Sequence, residues 1–176
     1  MQEPGTEDQY PASVRRTPLE WADQLRFRPI QEQDEEFLFL LYASTRAEEL
    51  AQTQWNDAQK AEFLRMQFQA QHRHYLSHFA GAEFLLILRD AEPIGRLYVE
   101  RRPAEVRLID IALLPDWRSR GLGGALMRDL MGDARNQRLP VRLHVEKFNP
   151  ALRLYERLGF RPLEDLGVHL LMEWNG

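Results

Sequence analysis

The segment that most constrains the fold is a turn with three glycines, Arg118-Ser119-Arg120-Gly121-Leu122-Gly123-Gly124. A strand-like run, Leu108-Ile109-Asp110-Ile111-Ala112-Leu113-Leu114, leads into it, and a helix-like run from Ala125 to Met131 leads out. Backbone N–H groups at a helix start have no acceptor within the helix, and the helix dipole adds partial positive charge there. A strand feeding a glycine turn that opens a helix is therefore a general device for holding phosphate. Gly121, Gly123 and Gly124 let the backbone approach a ligand without a Cβ in the way. Arg118 and Arg120 add cationic donors suited to phosphate oxygens.

The two best-known phosphate loops do not fit. A Walker loop needs Lys and Ser or Thr after its last glycine, and Ala125 and Leu126 stand there. The dinucleotide fingerprint needs a glycine at its sixth position, and counting from Gly121 that position is Leu126. What remains is Arg-x-x-Gly-x-Gly, preceded by Leu113-Leu114-Pro115-Asp116-Trp117. A second segment follows: Asn149-Pro150-Ala151, then Leu154-Tyr155, then Leu158-Gly159-Phe160. Asn149 suits a helix N-cap, Pro150 the first helical position and Gly159 the left-handed residue that ends a helix. Ala151, Leu154, Tyr155 and Leu158 fall on one stripe.

In this order, over roughly Ile94 to Phe160, the two motifs resemble those of the GNAT superfamily of acetyl-CoA-dependent N-acetyltransferases. The resemblance implies a mixed, mostly antiparallel α/β sheet with helices on both faces, in which the loop-bearing strand and the next one splay apart to admit acetyl-CoA. It implies that the amides of Arg118, Ser119, Arg120, Gly121, Leu122, Gly123 and Gly124 receive the pyrophosphate, with Asn149 a further cofactor contact. A backbone N–H near Leu113, on a bulged strand, would polarise the thioester carbonyl, and Tyr155 would protonate the departing thiolate. The acceptor would be a small-molecule or peptide amine.

The general base is where the sequence departs from the family pattern. Relatives often carry Glu or His at the positions that here hold Arg107 and Ile109. Three substitutes stand nearby. His144 titrates in the useful range and shares a strand face with Glu146, opposite Val141, Leu143 and Val145. Asp110 lies next to the expected bulge, where alternation is unreliable. Glu100 lies on the neighbouring strand. The empty positions also leave open a non-catalytic acyl-CoA-binding or partner-binding module on the same fold. Arg96, Arg101, Arg102 and Arg107 read either as a basic patch for an anionic substrate group or as ion pairs on the sheet.

Composition narrows the classes. The chain has 176 residues, enough for one domain with a sizeable core, and no cysteine, so neither a disulfide nor a thiolate nucleophile is available. A net charge of −4 argues against sequence-independent nucleic-acid or membrane-surface binding. His72, His74 and His78 lack the glutamate and third ligand of a helical zinc motif, so no metal is expected. Without a signal-like start or a membrane-length apolar run, the expected location is cytoplasmic. The acceptor amine, and whether the chain works as a monomer or a homodimer, stay open.

Residues 1–24 are polar and proline-bearing and read as a flexible arm, with Trp21 and Leu25 able to pin its end; residues 25–176 read as the single catalytic domain. Strands are expected over 25–30, 84–88, 94–100, up to Leu114, 141–145 and 168–174. Asp34 is expected to cap the first helix. Asn56-x-x-Gln59 is expected to form a capping box for the second, with Leu64, Phe68, Gln71, Tyr75 and Phe79 along one stripe.

Overall fold

The computed structural model describes residues 25–176, so the expected arm and Trp21 lie outside the described residues. Strand β1 (Leu25–Pro29) leads through a 3-10 turn (Glu32–Asp34) into helices α1 (Glu35–Ala51) and α2 (Asp57–His78). Strands β2 (Ala82–Arg89), β3 (Glu92–Arg102) and β4 (Glu105–Leu113) follow as an antiparallel meander. A second 3-10 turn (Pro115–Trp117) precedes α3 (Leu122–Asn136), β5 (Val141–Glu146), α4 (Leu152–Arg157), β6 (Arg161–Leu166) and β7 (His169–Trp174). The sheet order is β1-β2-β3-β4-β5-β7-β6, with β4 and β5 the one parallel pair among the described residues.

Each helix layer buries its own apolar stripe. Leu122, Leu126, Met127 and Leu130 of α3 pack on Leu97, Val99, Val106, Leu108, Val141 and Leu143 of the sheet. On the opposite face, Leu38, Phe39 and Tyr42 of α1 and Phe68 of α2 close over Leu86 and Leu88. Phe68 is its centre, with the Phe39 and Tyr42 rings at 5.8 and 5.9 Å. The capping box at Asn56 forms as expected: its side chain accepts the Gln59 N–H at 2.9 Å, and Gln59 accepts the Asn56 N–H at 3.0 Å.

Three local expectations need correction. Asp34 stands at the start of α1 but does not cap it; its carboxylate accepts the Arg28 guanidinium at 2.6 and 2.8 Å and the Gln31 N–H at 2.7 Å. The helix expected from Pro150 begins at Leu152, and Asn149 instead accepts the Ala151 N–H in the turn before it, at 2.9 Å. Its far end is as expected, with Gly159 at φ +95° and the Phe160 N–H donating back to the Tyr155 carbonyl. Finally, β6 is a strand that periodicity did not announce. All six of its residues are exposed, so no alternation marks it, and Pro162 is tolerated because β6 is an edge.

Two details of β4 shape the site. The register passes from Tyr98↔Asp110 to Val99↔Leu108, which leaves Ile109 as an extra residue. That bulge reverses the alternation: Leu108 packs on the α3 side, whereas Asp110 faces α2. The parallel pairing with β5 covers only Val106 to Leu108 against Val141 to Leu143, so the two strands part from Ile109 onward. At the paired end, buried Glu105 accepts from Arg102, Arg107 and Arg142 and ties three strands together. Opposite Leu113 sits Gly95, where a Cβ would collide with the Ala112 carbonyl oxygen and lie 2.8 Å from a Leu113 methyl. Gly95→Ala is therefore expected to cost about 1–3 kcal/mol, read as a lower urea midpoint at unchanged slope. An unchanged midpoint would show that β3 and β4 are not in close contact there.

Candidate active site

The glycine turn opens α3 as the sequence implies. After the 3-10 turn, Ser119 at φ 57° and Gly121 at φ 83° bend the chain into the helix. Left-handed geometry at Gly121 is where glycine is required, and nothing lies within 4 Å of a Cβ placed there. The first helical bond runs from the Ala125 N–H to the Gly121 carbonyl at 3.0 Å. The N–H groups of Leu122, Gly123 and Gly124 precede it and have no acceptor inside the helix. Gly123 and Gly124 also admit α4, since their Cβ positions would lie 3.8 and 3.5 Å from Leu154 methyls.

The two arginines of the turn have different surroundings. Arg118 donates from Nε to the Leu113 carbonyl at 2.8 Å and from its two Nη atoms to the Ser44 carbonyl at 3.2 Å and the Ser44 hydroxyl at 2.7 Å. Its side chain is a brace between the end of β4 and α1, which corrects the expectation of a guanidinium aimed at phosphate. Arg120 is exposed and lies over the Trp117 ring at 5.5 Å.

Beyond the bulge, the direction of each β4 amide follows from the pairing. The Leu114 N–H donates to the Ile94 carbonyl on β3, so the preceding residue, Leu113, turns its N–H the other way, toward the gap left by β5. The Leu113 N–H thus lies outside the β3–β4 ladder. Asp110 fills the α2 side of the same stretch. Its Oδ2 accepts from the buried Arg96 at 2.6 Å and from the Tyr75 hydroxyl at 3.2 Å, and Arg96 also donates to Gln71 at 3.0 Å. Tyr155, on α4, is buried with its ring 5.8 Å from that of Phe160. Burial raises the Tyr155 hydroxyl above the ordinary phenol range, and the Asp110 charge adds to the effect. Tyr155 therefore stays protonated at neutral pH, within electrostatic reach of Asp110.

His144 lies just beyond the last β4–β5 pair, exposed and on the face expected for it. Its Nδ1 is 3.2 Å from Arg107 Nη1. A guanidinium can only donate, so Nδ1 is the acceptor and the ring proton sits on Nε2. Partial desolvation lowers the His144 pKa below the ordinary histidine value, and Arg107 and His169 push the same way. Glu146 faces Arg46 of α1 at 3.5 Å and His169 at 3.8 Å. Glu100, the third base candidate, is held by Arg102, away from the gap and opposite Arg107. The arginine cluster resolves as ion pairs: Arg96 with Asp110, Arg101 with Glu83, Arg102 with Glu100 and Glu105, and Arg107 with Glu105.

Sequence reasoning missed Tyr75, Gln71, Arg96 and Ser44 as members of this region. A signal existed for two of them. Gln71 and Tyr75 are polar groups on the stripe of α2 that faces the sheet, and such positions call for a buried polar partner.

The comparisons with known proteins agree with this geometry. The model of the acetyltransferase (GNAT) family matches residues 45–160. A mycothiol acetyltransferase from Thermobifida fusca (strain YX) is 37% identical over 75 residues, which are 42% of this chain and 20% of that protein. This chain thus spans a minor part of that relative's length. The fold is similar to that of the PaiA N-acetyltransferase from Thermoplasma acidophilum, solved in complex with coenzyme A, with a TM-score of 0.63 and 18% identity over 86% of this chain and 99% of that one. It is also similar to the ribosomal-protein-S18-alanine N-acetyltransferase from Escherichia coli, with a TM-score of 0.58 and 17% identity over 86% and 93% of the two chains. With the family model covering well over half its length, the chain belongs to the GNAT acetyltransferase family, acyltransferases that use acetyl-CoA.

Proposed function

We propose that this protein moves the acetyl group of acetyl-CoA onto an amine by direct attack in a ternary complex. The observation that carries the reading is the parting of β4 and β5 beyond Leu108, with the Leu113 N–H turned away from β3, Tyr155 within electrostatic reach of Asp110, and the glycine turn into α3 following directly on β4. The amides of Ser119 to Gly124 hold the pyrophosphate, with Asn149 a further contact on the cofactor side. The Leu113 N–H stabilises the negative charge that gathers on the thioester oxygen. The amine nitrogen attacks the carbonyl carbon, a base takes its proton, the C–S bond breaks, and Tyr155 protonates the thiolate. No covalent acetyl-cysteine can intervene, because the sequence contains no cysteine. The acceptor is a small-molecule or peptide amine, and the catalytic domain spans residues 25–176. Among the described residues, no helix is long and apolar enough to cross a membrane, in keeping with a cytoplasmic enzyme.

Asp110 is the base this arrangement favours, directly or through a water. Arg96 and Tyr75 both bind its Oδ2 and fix the direction of the carboxylate. His144 is the second reading, weakened because Arg107 occupies the lone pair it would use. The two assignments predict different pH profiles. A His144 base must be neutral, so the rate would climb with pH through an apparent pKa below about 6.5, since its environment disfavours the imidazolium. With Asp110 as base, His144→Gln keeps most of the rate and leaves the profile unchanged, while Asp110→Asn slows turnover by about a hundredfold or more. Steady-state rates of the two variants between pH 5 and 9 decide between them. Loss of activity confined to His144→Gln would transfer the role to the histidine.

A further inference from the structure

We propose, building on the acetyl-CoA site above, that Ser44 to Arg46 of α1 form a clasp across the open end of the β4/β5 gap, with Arg118 as the positioning residue that sets it. The two strands that diverge end at Leu113 and Glu146. One short stretch of α1 is tied to both ends. On the β4 side, Arg118 joins the Leu113 carbonyl at 2.8 Å to the Ser44 hydroxyl at 2.7 Å and the Ser44 carbonyl at 3.2 Å. On the β5 side, two residues further along the helix, Arg46 meets Glu146 at 3.5 Å.

The two ties differ in strength. Three charge-assisted hydrogen bonds from one planar fork fix direction as well as distance. A single long, half-exposed ion pair adds little and gives way readily. The clasp is therefore hinged on β4 and releasable from β5. Arg118 is itself the first residue of the cofactor loop, so occupancy of that loop bears on the hinge. A ligand seated on the loop and against Leu113 steadies Arg118, and Arg118 steadies Ser44. Cofactor binding is thus transmitted to the wall of the gap on the α1 side before any acceptor arrives.

Amide hydrogen exchange on the full-length protein, with coenzyme A as the probe, tests this without a known acceptor. At coenzyme A concentrations that calorimetry shows to saturate each protein, exchange over Ser44–Leu50 should slow by about tenfold in the wild type, the scale of one hydrogen bond to a charged group. Ser44→Ala and Arg118→Lys should each lose that slowing, because a lysine ammonium keeps the charge but cannot span three acceptors. In the free protein the same two variants should exchange faster over Ser44–Leu50 and unchanged over α3. Retention of the slowing in Arg118→Lys would overturn the clasp, since a point charge on phosphate would then suffice. Unchanged exchange of both variants in the free protein would overturn it as well. Absence of coenzyme A binding in the wild type would instead remove the cofactor reading, while the free-protein arm still judges the tie between Arg118 and Ser44.

Discussion

Replacing Tyr155 with phenylalanine should slow turnover by roughly ten- to ten-thousand-fold while leaving acetyl-CoA affinity nearly unchanged. In the proposed mechanism the Tyr155 hydroxyl acts only as the thiolate leaves, so its loss falls on the transition state rather than on cofactor binding. The ring continues to fill its buried site beside Phe160, so the fold is retained. Burial and the Asp110 charge both raise the hydroxyl's pKa, which keeps its proton in place throughout the neutral range. Steady-state kinetics paired with calorimetric titration separate the two effects. A variant with wild-type turnover would make Tyr155 a packing residue and leave the thiolate to be protonated by water.

A second large effect is expected at the glycine turn. Gly121→Glu and Gly123→Glu should each abolish measurable acetyl-CoA binding. At Gly121 the left-handed φ of 83° strains any L side chain, and a carboxylate there repels the pyrophosphate. At Gly123 the strain is absent, because the residue lies inside α3, so charge and bulk act alone. Gly121→Ala divides the causes further: it retains the strain but not the charge, and there is open space for its methyl group. It should fold with a modest loss of stability and still bind. Calorimetry on the three variants gives the order Ala, then both Glu forms. Equal affinity in all of them would take the phosphate away from this turn.

What could be read from the sequence was what is local. The Arg118–Gly124 turn and the Gly159 helix end are written in glycines whose geometry is fixed within a few residues, and both appear in the structure. The capping box at Asn56 is local in the same way. Arg118 was misread because its partner Ser44 lies 74 residues earlier, and no pattern near the turn points to it. The side of the sheet that Asp110 occupies depends on one extra residue, Ile109, whose bulge leaves no mark in residue type. Strand β6 escaped because an edge strand exposed on both faces needs no alternation to form. The departure at Arg107 has a physical account as well. Arg107 is one of three arginines paired with buried Glu105, so a carboxylate in its place would remove one of those counter-charges and set a like charge beside Glu105.

Delivery of an acetyl group to an amine at the β4/β5 gap is the proposed reaction. It is tested most directly by following release of free coenzyme A from acetyl-CoA against a panel of amines that includes small polyamines, amino acids, amino sugars and peptide N-termini. Amine-dependent thiol release is expected with at least one class, lost in Gly121→Glu and slowed by at least about tenfold in Tyr155→Phe. Tight acetyl-CoA binding with no thiol release above background for any amine would contradict it, and would identify the protein as a binder of acyl-CoA rather than an enzyme that uses it.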